Sequence, residues 1–142
     1  MRAGQRTGRW IVVKLDETAT RGISVICEML GEDTAREFES FAQTDKFGAA
    51  LSRLALQFCY ADHWGTEDFT RRERSLMMIA ALVALRQPSE LKNHLKIGMA
   101  NGVKVEEFEK ILLHLVPYVG FPASSTASSA MRDFIKEQKQ EG

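Results

Sequence analysis

The sequence is poor in the features that mark several large classes of protein. Its 142 residues include two cysteines and three prolines, and 19 basic residues are balanced by 19 acidic ones. A nucleic-acid-binding protein of this size is expected to carry a basic surplus or a basic stripe, and neither is present. The apolar run at 10–13 is too short for a signal peptide, and no later run approaches the roughly 18 apolar residues of a membrane span. The sequence therefore predicts a cytoplasmic protein that binds neither nucleic acid nor membrane.

The few cysteines and histidines limit redox and metal chemistry. Cys27 and Cys59 are 32 residues apart, each in an apolar helical stretch, which favours buried free thiols over a reactive pair. A cysteine-dependent redox protein stays open only if the two thiols meet in space. The three histidines are widely spaced and do not form the His-Glu-x-x-His pattern of a zinc helix. We predict no metal.

The composition is that of a globular chain, with 44% hydrophobic and 27% charged residues. A chain of this length can bury about 70% of its unfolded surface without a disulfide or metal. From Gly22 onward apolar residues recur at helical spacing, and no strand-like alternation competes with them. The sequence predicts an all-α, single-domain bundle of about six or seven helices over 22–139. Residues 1–21 are predicted to form an N-terminal arm, with a possible short strand at 10–15.

Two of the predicted helices carry strong packing signals. The helix at 47–60 places Leu51, Leu54, Ala55 and Phe58 on one face. The helix ending at Leu85 is apolar nearly all round in its second half, which predicts a central, buried position. Local signals predict where helices begin or end: Gly31, the capping box Thr70–Glu73, Pro88-Ser89, Asn101-Gly102 and Pro117.

One helix carries a pair of residues suited to proton transfer. Glu90 and His94 are four positions apart, so their side chains share a helix face. A carboxylate one turn from an imidazole can fix its tautomer and raise its basicity, as a proton-transfer catalyst requires. The same spacing is also common on solvated helix faces, so the pair alone does not decide between the two interpretations.

Several motifs in order make the chain similar to a known family. They are Arg71-Arg72-Glu73-Arg74-Ser75-Leu76, Ile79-Ala80-Ala81-Leu82, Glu90-Leu91-Lys92-Asn93-His94, Asn101-Gly102-Val103, Glu106-Glu107-Phe108 and Tyr118-Val119-Gly120-Phe121-Pro122-Ala123. On these motifs the chain resembles the carboxymuconolactone decarboxylase family, over roughly residues 22–137. The resemblance implies an AhpD-like helical fold, the branch that lacks redox cysteines.

The resemblance also excludes the peroxidase activity of the related redox branch. That branch places a glutamate and a Cys-x-x-Cys pair at fixed distances before its histidine. If its histidine is matched to His94, these positions hold Ser75, Gln87 and Glu90 here. Disulfide-based reduction of a hydroperoxide needs two thiols that can bond and a thiolate that attacks. Gln87 and Glu90 provide neither.

The activity implied by the resemblance is a decarboxylation without cofactor, in the breakdown of aromatic compounds. A carboxylated lactone or related enolisable acid loses carbon dioxide, and the resulting enolate takes up a proton. On this basis His94 is the predicted proton donor and Glu90 its orienting partner. Arg72 or Arg74 is predicted to hold a substrate carboxylate, with pairing to helix carboxylates or to a neighbouring subunit as the alternative.

Further candidates for substrate binding come from the same motifs. Ser75 is either a ligand or a small packing residue, and Trp64 and Tyr118 either line the pocket or fill the core. Glu28 is a weaker candidate for contact with the substrate. His114 lies near Leu115 and is predicted to be a satisfied core histidine. His63 either adds a polar group to the pocket or is exposed.

Other functions remain open on the sequence alone, because a fold does not fix a substrate. A related isomerase, cyclase or dehydratase could use the same proton-transfer groups on another enolisable compound. A noncatalytic ligand-binding module is the alternative outside enzymes. The resemblance implies a homo-oligomer, a trimer or hexamer. The apolar stretch 76–85 and the small-residue run 123–130 are the segments suited to packing on other subunits.

Overall fold

The computed structural model describes residues 11–142. Between these residues the chain forms six α-helices and one π-helix, with no strand. The all-α prediction of about six or seven helices is confirmed. The first ten residues of the predicted arm lie outside the described part. Of the possible strand at 10–15, the described residues have no regular secondary structure, and the Val13 N–H donates to the Gln43 carbonyl at 2.7 Å.

The chain divides into two compact units by its internal contacts, one ending at Thr66 and the other spanning Glu67–Gly142. Unit 1 contains α1 (Glu17–Leu30), α2 (Glu32–Ala42), α3 (Ala49–Leu54) and a π-helix (Ala55–Trp64). Unit 2 contains α4 (Arg71–Ala84), α5 (Pro88–Ala100) and α6 (Val105–Glu141). The stretch that joins them, between Trp64 and Arg71, is short.

Unit 1 is built on a close backbone approach between α1 and the π-helix. A Cβ atom placed on Gly22 would lie 2.1 Å from the carbonyl oxygen of Leu56, so only glycine fits at this crossing. The helix α1 begins at Glu17, five residues earlier than predicted, because the Asp16 side chain accepts from the Ala19 N–H at 2.7 Å and caps it. Half of the unit's main buried cluster is alanine: Leu15, Ala19, Ile26, Ala35, Ala42 and Leu56.

Most of the apolar face of the predicted 47–60 helix is exposed. Leu51, Leu54 and Phe58 are 71%, 56% and 59% exposed, and Phe47 is fully exposed. The buried residues of the π-helix are instead Leu56, Ala61 and Trp64. Hydrogen bonds in a π-helix join residues five apart, which changes the side chains that share a face. The apolar spacing identified residues on a common face but not the direction of that face.

In unit 2 the helix boundaries follow most of the predicted signals. The Thr70–Glu73 capping box is present, with the Thr70 Oγ1 accepting from the Glu73 N–H at 3.1 Å. Pro88 is in the first turn of α5, but the N-cap is Gln87 rather than Ser89. The long helix α6 is broken at Gly120, where φ is 83° and ψ is 166°, rather than at Pro117. Proline at 117 is tolerated, and the positive φ of glycine makes the kink.

The core of unit 2 is formed by large apolar side chains from all three helices and from the loop between α5 and α6. They are Ile79, Leu82, Val83, Leu91, Leu95, Val103, Phe108, Met131 and Phe134, with Ala127 and Ala130. Ala127 and Ala130 come from the small-residue run, so part of that run packs inside the unit. The prediction that α4 is buried all round is wrong, because Met77 and Leu85 are exposed.

Candidate functional site

The helix α5 carries the predicted proton-transfer pair. Leu91 and Leu95 are buried and fix the inner face of α5, while His94 is half-buried and Glu90 is exposed. Burial lowers the pKa of the His94 imidazole below its ordinary value of 6.5, and the charge of Glu90 acts in the opposite direction. Since the carboxylate favours the charged imidazole, the two side chains are electrostatically coupled, as the four-residue spacing predicted.

The start of α4 is tied to the end of α5 by a buried hydrogen bond. Ser75 is fully buried, and its hydroxyl accepts from the Asn101 Nδ2 at 3.0 Å. Asn101 is the C-cap residue of α5, seven residues after His94. This contact fits the packing interpretation of Ser75 and makes Asn101 a residue that sets the position of α5. No local pattern indicates this pair, because 26 residues separate its members.

Arg72 is paired with a carboxylate of α6. Its guanidinium donates to the Glu107 Oε1, and the Lys104 N–H donates to the Glu107 Oε2 at 2.8 Å. The hydrogen bond from the Lys104 N–H lowers the pKa of the Glu107 carboxyl most, and the hydrogen bond from the Arg72 guanidinium lowers it further. Both oxygens of Glu107 are therefore engaged, and the carboxylate is held in its charged form.

Arg74 is in a more buried place than Arg72. Its side chain is 12% exposed and pairs with Asp68, whose side chain is 67% exposed. The guanidinium carbon also lies 5.8 Å from the centre of the Phe69 ring, a cation–π distance. Of the two predicted carboxylate-binding arginines, both contact carboxylates of the chain itself, and Arg74 has the partner more exposed to solvent.

Tyr118 and His114 lie side by side on α6. Both are exposed, and their ring centres are 5.8 Å apart. The prediction that His114 is a core histidine is wrong. Phe108 of the same helix is buried, whereas His114 is exposed although it is next to the partly buried Leu115.

The remaining candidates belong to unit 1. Trp64 is buried at the end of the π-helix, whereas Glu28 is exposed on α1. His63 is exposed, with its ring centre 4.7 Å from that of Phe58 in an edge-to-face arrangement. Cys27 is half-buried, but Cys59 is exposed, so the prediction of two buried thiols is wrong for Cys59.

A cavity of about 350 Å³ lies between α4 and α6. Its apolar side chains are Leu76, Ala80, Ile111 and Leu115. Its polar side chains are Glu107, Lys110 and His114, at successive turns of α6. Sequence analysis did not identify Lys110 as a candidate. The only available signal was the helical spacing of Glu107, Lys110 and His114, which is also that of an ordinary solvated face.

Residues 11–142 lack two features, a metal-binding cluster and a membrane-spanning helix. Residues 11–142 contain no cluster of three or more histidine, cysteine or acidic side chains arranged to hold a metal ion. Within the same residues, every helix is too short or too polar to cross a membrane.

Comparison with known proteins gives matches over most of the chain. Residues 49–133 match the model of the carboxymuconolactone decarboxylase family. The 4-carboxymuconolactone decarboxylase of Acinetobacter baylyi is 31% identical over 117 residues, which cover 82% of this chain and 86% of that protein. The nitrosuccinic acid decarboxylase of Metarhizium robertsii is 22% identical over 121 residues, 85% of this chain and 83% of that protein.

Proposed function

Because the chain belongs to the carboxymuconolactone decarboxylase family, we propose that it removes carbon dioxide from a small carboxylated lactone or a related enolisable acid. The names of both relatives support a decarboxylase. A lactone carbonyl and a nitro group can each accept the electron pair that departing carbon dioxide leaves behind. This common chemistry supports a substrate in which the carboxylate is close to an electron sink. The proposed reaction uses no metal and no organic cofactor.

In the proposed reaction His94 supplies the proton. The bond between the substrate carbon and its carboxylate breaks, carbon dioxide leaves, and the electron pair spreads onto the lactone carbonyl as an enolate. The His94 imidazolium then gives its proton to carbon, and the neutral imidazole takes up another from solvent. The observation that carries the proposal is that His94 is half-buried, with a pKa that burial lowers and the charge of Glu90 raises.

Glu90 is proposed as a positioning residue. Its negative charge raises the pKa of His94 against the effect of burial. A larger fraction of the imidazole is then protonated near neutral pH, which a proton donor needs. An incoming substrate carboxylate adds a second negative charge and acts in the same direction.

Arg74 is the arginine that we propose for the substrate carboxylate. Its partner Asp68 is exposed and can yield to an incoming carboxylate, whereas Glu107 is held at both oxygens by Arg72 and Lys104. A guanidinium can bind a carboxylate with two parallel hydrogen bonds, which a lysine cannot reproduce. Tyr118 is retained as a proposed contact with the substrate, and Ser75 as a packing residue.

The test of His94 is carbon dioxide release from 4-carboxymuconolactone by the purified chain with a metal chelator present. We expect turnover by the wild type and a loss of about 10²- to 10⁴-fold in kcat for His94→Gln, the usual contribution of a general acid. Circular dichroism should show unchanged helix content. Binding of the lactone without turnover by the wild type would support a noncatalytic module and reject the enzyme.

The role of Glu90 is tested by the pH profile of kcat/KM. If His94 donates as the imidazolium, activity falls as pH rises through its pKa, and Glu90→Gln should move this fall to lower pH. The exposed Glu109→Gln variant is the matched control, and its profile should coincide with that of the wild type. A Glu90→Gln profile that falls in height but does not move along the pH axis would contradict the coupling.

We also propose that the chain forms a homo-oligomer. The support is the exposed apolar face formed by Phe47, Leu51, Leu54 and Phe58 in unit 1. Four large apolar side chains on one face make a larger apolar patch than the scattered apolar residues of an ordinary surface. A second copy of the chain could cover this patch. Light scattering should give a multiple of the 16.0 kDa chain mass, reduced by Leu51→Glu. A wild-type mass of one chain would exclude this proposal.

A further inference from the structure

The cavity between α4 and α6, called the α4–α6 groove here, has an apolar floor and a polar side. Leu76 and Ala80 are one turn apart on α4, and Ile111 and Leu115 are one turn apart on α6. Its volume of about 350 Å³ lies within the range of roughly 300–1,000 Å³ that is typical of small-molecule sites. Along α6 the lining extends from Glu107 to Leu115, about 12 Å at the rise of an α-helix.

The polar side of the groove has an excess of positive charge. Glu107 is the acidic residue of the lining, and Arg72 and the Lys104 N–H already engage its two oxygens. Its charge is thus offset by the Arg72 guanidinium. The ammonium group of Lys110 adds a positive charge one turn further along α6, and the His114 imidazole follows at the next turn. A ligand lying on the floor therefore meets a cation at its side.

We propose that the α4–α6 groove binds a small amphipathic monocarboxylate. The apolar body lies on Leu76, Ala80, Ile111 and Leu115, and the carboxylate faces Lys110 and His114. The length of the lining suits an extended body of about eight carbons, at roughly the 12 Å that this stretch of α6 spans. This site goes beyond the proposed decarboxylation, because the groove lining comes from α4 and α6 and does not include His94.

The lining favours a ligand that has both an apolar body and a carboxylate. A compact polar anion would leave the apolar floor in water, and the hydrophobic contribution of its four side chains would be lost. A neutral apolar molecule would cover the floor but gain nothing from the Lys110 ammonium. A second copy of the chain is the competing occupant, and the experiment separates it from a small ligand.

The experiment is an NMR titration of the full chain with octanoate, with 1-octanol as the neutral probe of matched length. We expect saturable shifts at Ala80, Ile111 and Leu115, and weaker binding of the alcohol. Lys110→Gln should weaken octanoate binding about two- to fivefold, the effect of one exposed charge pair, and should leave octanol binding unchanged. The matched control Lys136→Gln changes an exposed lysine elsewhere on α6 and should behave as the wild type.

A second variant tests the floor independently. Ala80→Phe places a ring in the groove and should abolish binding of both probes. If that variant does not fold, Lys110→Glu tests the charged side instead and should abolish octanoate binding while leaving octanol binding unchanged. Octanoate binding should be the same in His94→Gln, which keeps this result separate from that of the decarboxylase assay. The proposal is overturned if octanoate and octanol bind equally to the wild type. It is also overturned if Ala80→Phe alters the oligomer mass and leaves octanoate binding intact.

Discussion

The main buried clusters of the two units are built from side chains of different size. Unit 2 buries Phe108 and Phe134 in its core, whereas unit 1 leaves Phe47 and Phe58 exposed and packs largely with alanine. In unit 1 the small side chains are accompanied by a close approach of the α1 and π-helix backbones at Gly22. Its stability thus depends on the absence of a side chain at one position, and that of unit 2 on the presence of large ones.

The largest contrast is expected when the same substitution is made in both units. Phe108→Ala removes a ring that is 2% exposed, and we expect a loss of about 3–5 kcal/mol in the free energy of unfolding. Phe47→Ala removes a fully exposed ring and should change that free energy by less than about 0.5 kcal/mol. Urea unfolding at low protein concentration measures both. Equal losses would mean that Phe47 is buried in solution.

The next contrast concerns glycine. Gly22→Ala puts a methyl group against the backbone of Leu56, which cannot move alone, and should cost about 1–3 kcal/mol or more. Gly98→Ala meets the Cδ1 atom of Ile79 at 3.2 Å, a flexible side-chain end, and should cost less. Thermal unfolding of the two variants provides the comparison. A smaller loss for Gly22→Ala than for Gly98→Ala would contradict the role given to the crossing in unit 1.

A smaller difference is expected between the first helix caps of the two units. Thr70→Ala removes one capping side chain of α4 and should cost about 1 kcal/mol. Asp16 caps α1 and also accepts from the Gln57 Nε2 at 2.5 Å, so Asp16→Ala should approach the upper end of capping effects, about 2 kcal/mol. Urea midpoints compare the two. If Asp16→Ala costs no more than Thr70→Ala, the contact with Gln57 adds no stability.

The smallest effect is the pH dependence that His94 gives to unit 2. Burial lowers the pKa of His94 in the folded chain, so below the ordinary value of 6.5 the unfolded chain binds more protons. Stability should therefore fall as pH drops from about 6.5 toward the folded pKa of His94. His94→Gln should flatten this part of the profile, and the exposed Asn93→Gln variant should not. A profile unchanged by His94→Gln would show that burial of His94 does not affect stability.

The features predicted correctly from sequence are those set by neighbours in the chain. The capping box at Thr70–Glu73 and the helix end at Gly102 depend on residues within one turn, and so does the coupling of Glu90 to His94. Their physical cause is contained in a few consecutive residues, so periodicity and capping rules are sufficient.

The features missed depend on distant partners. Ser75 meets Asn101 across 26 residues. Pairing of Arg72 with a helix carboxylate was a predicted alternative, but its partner Glu107, 35 residues away, was not identified. The outward direction of the face formed by Leu51, Leu54 and Phe58 depends on where α1 packs, and local spacing does not indicate this. The π-helix was not predicted either, because its i→i+5 hydrogen bonds replace α-helical ones without a distinctive residue pattern.

The kink at Gly120 limits what changes in length the chain can accept. The residues that follow it insert Ala123, Ala127 and Phe134 into the core of unit 2. One residue inserted after Phe121 would rotate everything downstream by about 100° around the helix axis. The inward row would then face water, and polar neighbours would be forced inside. The packing of the C-terminal helix in unit 2 thus depends on the number of residues after Gly120 as much as on their types.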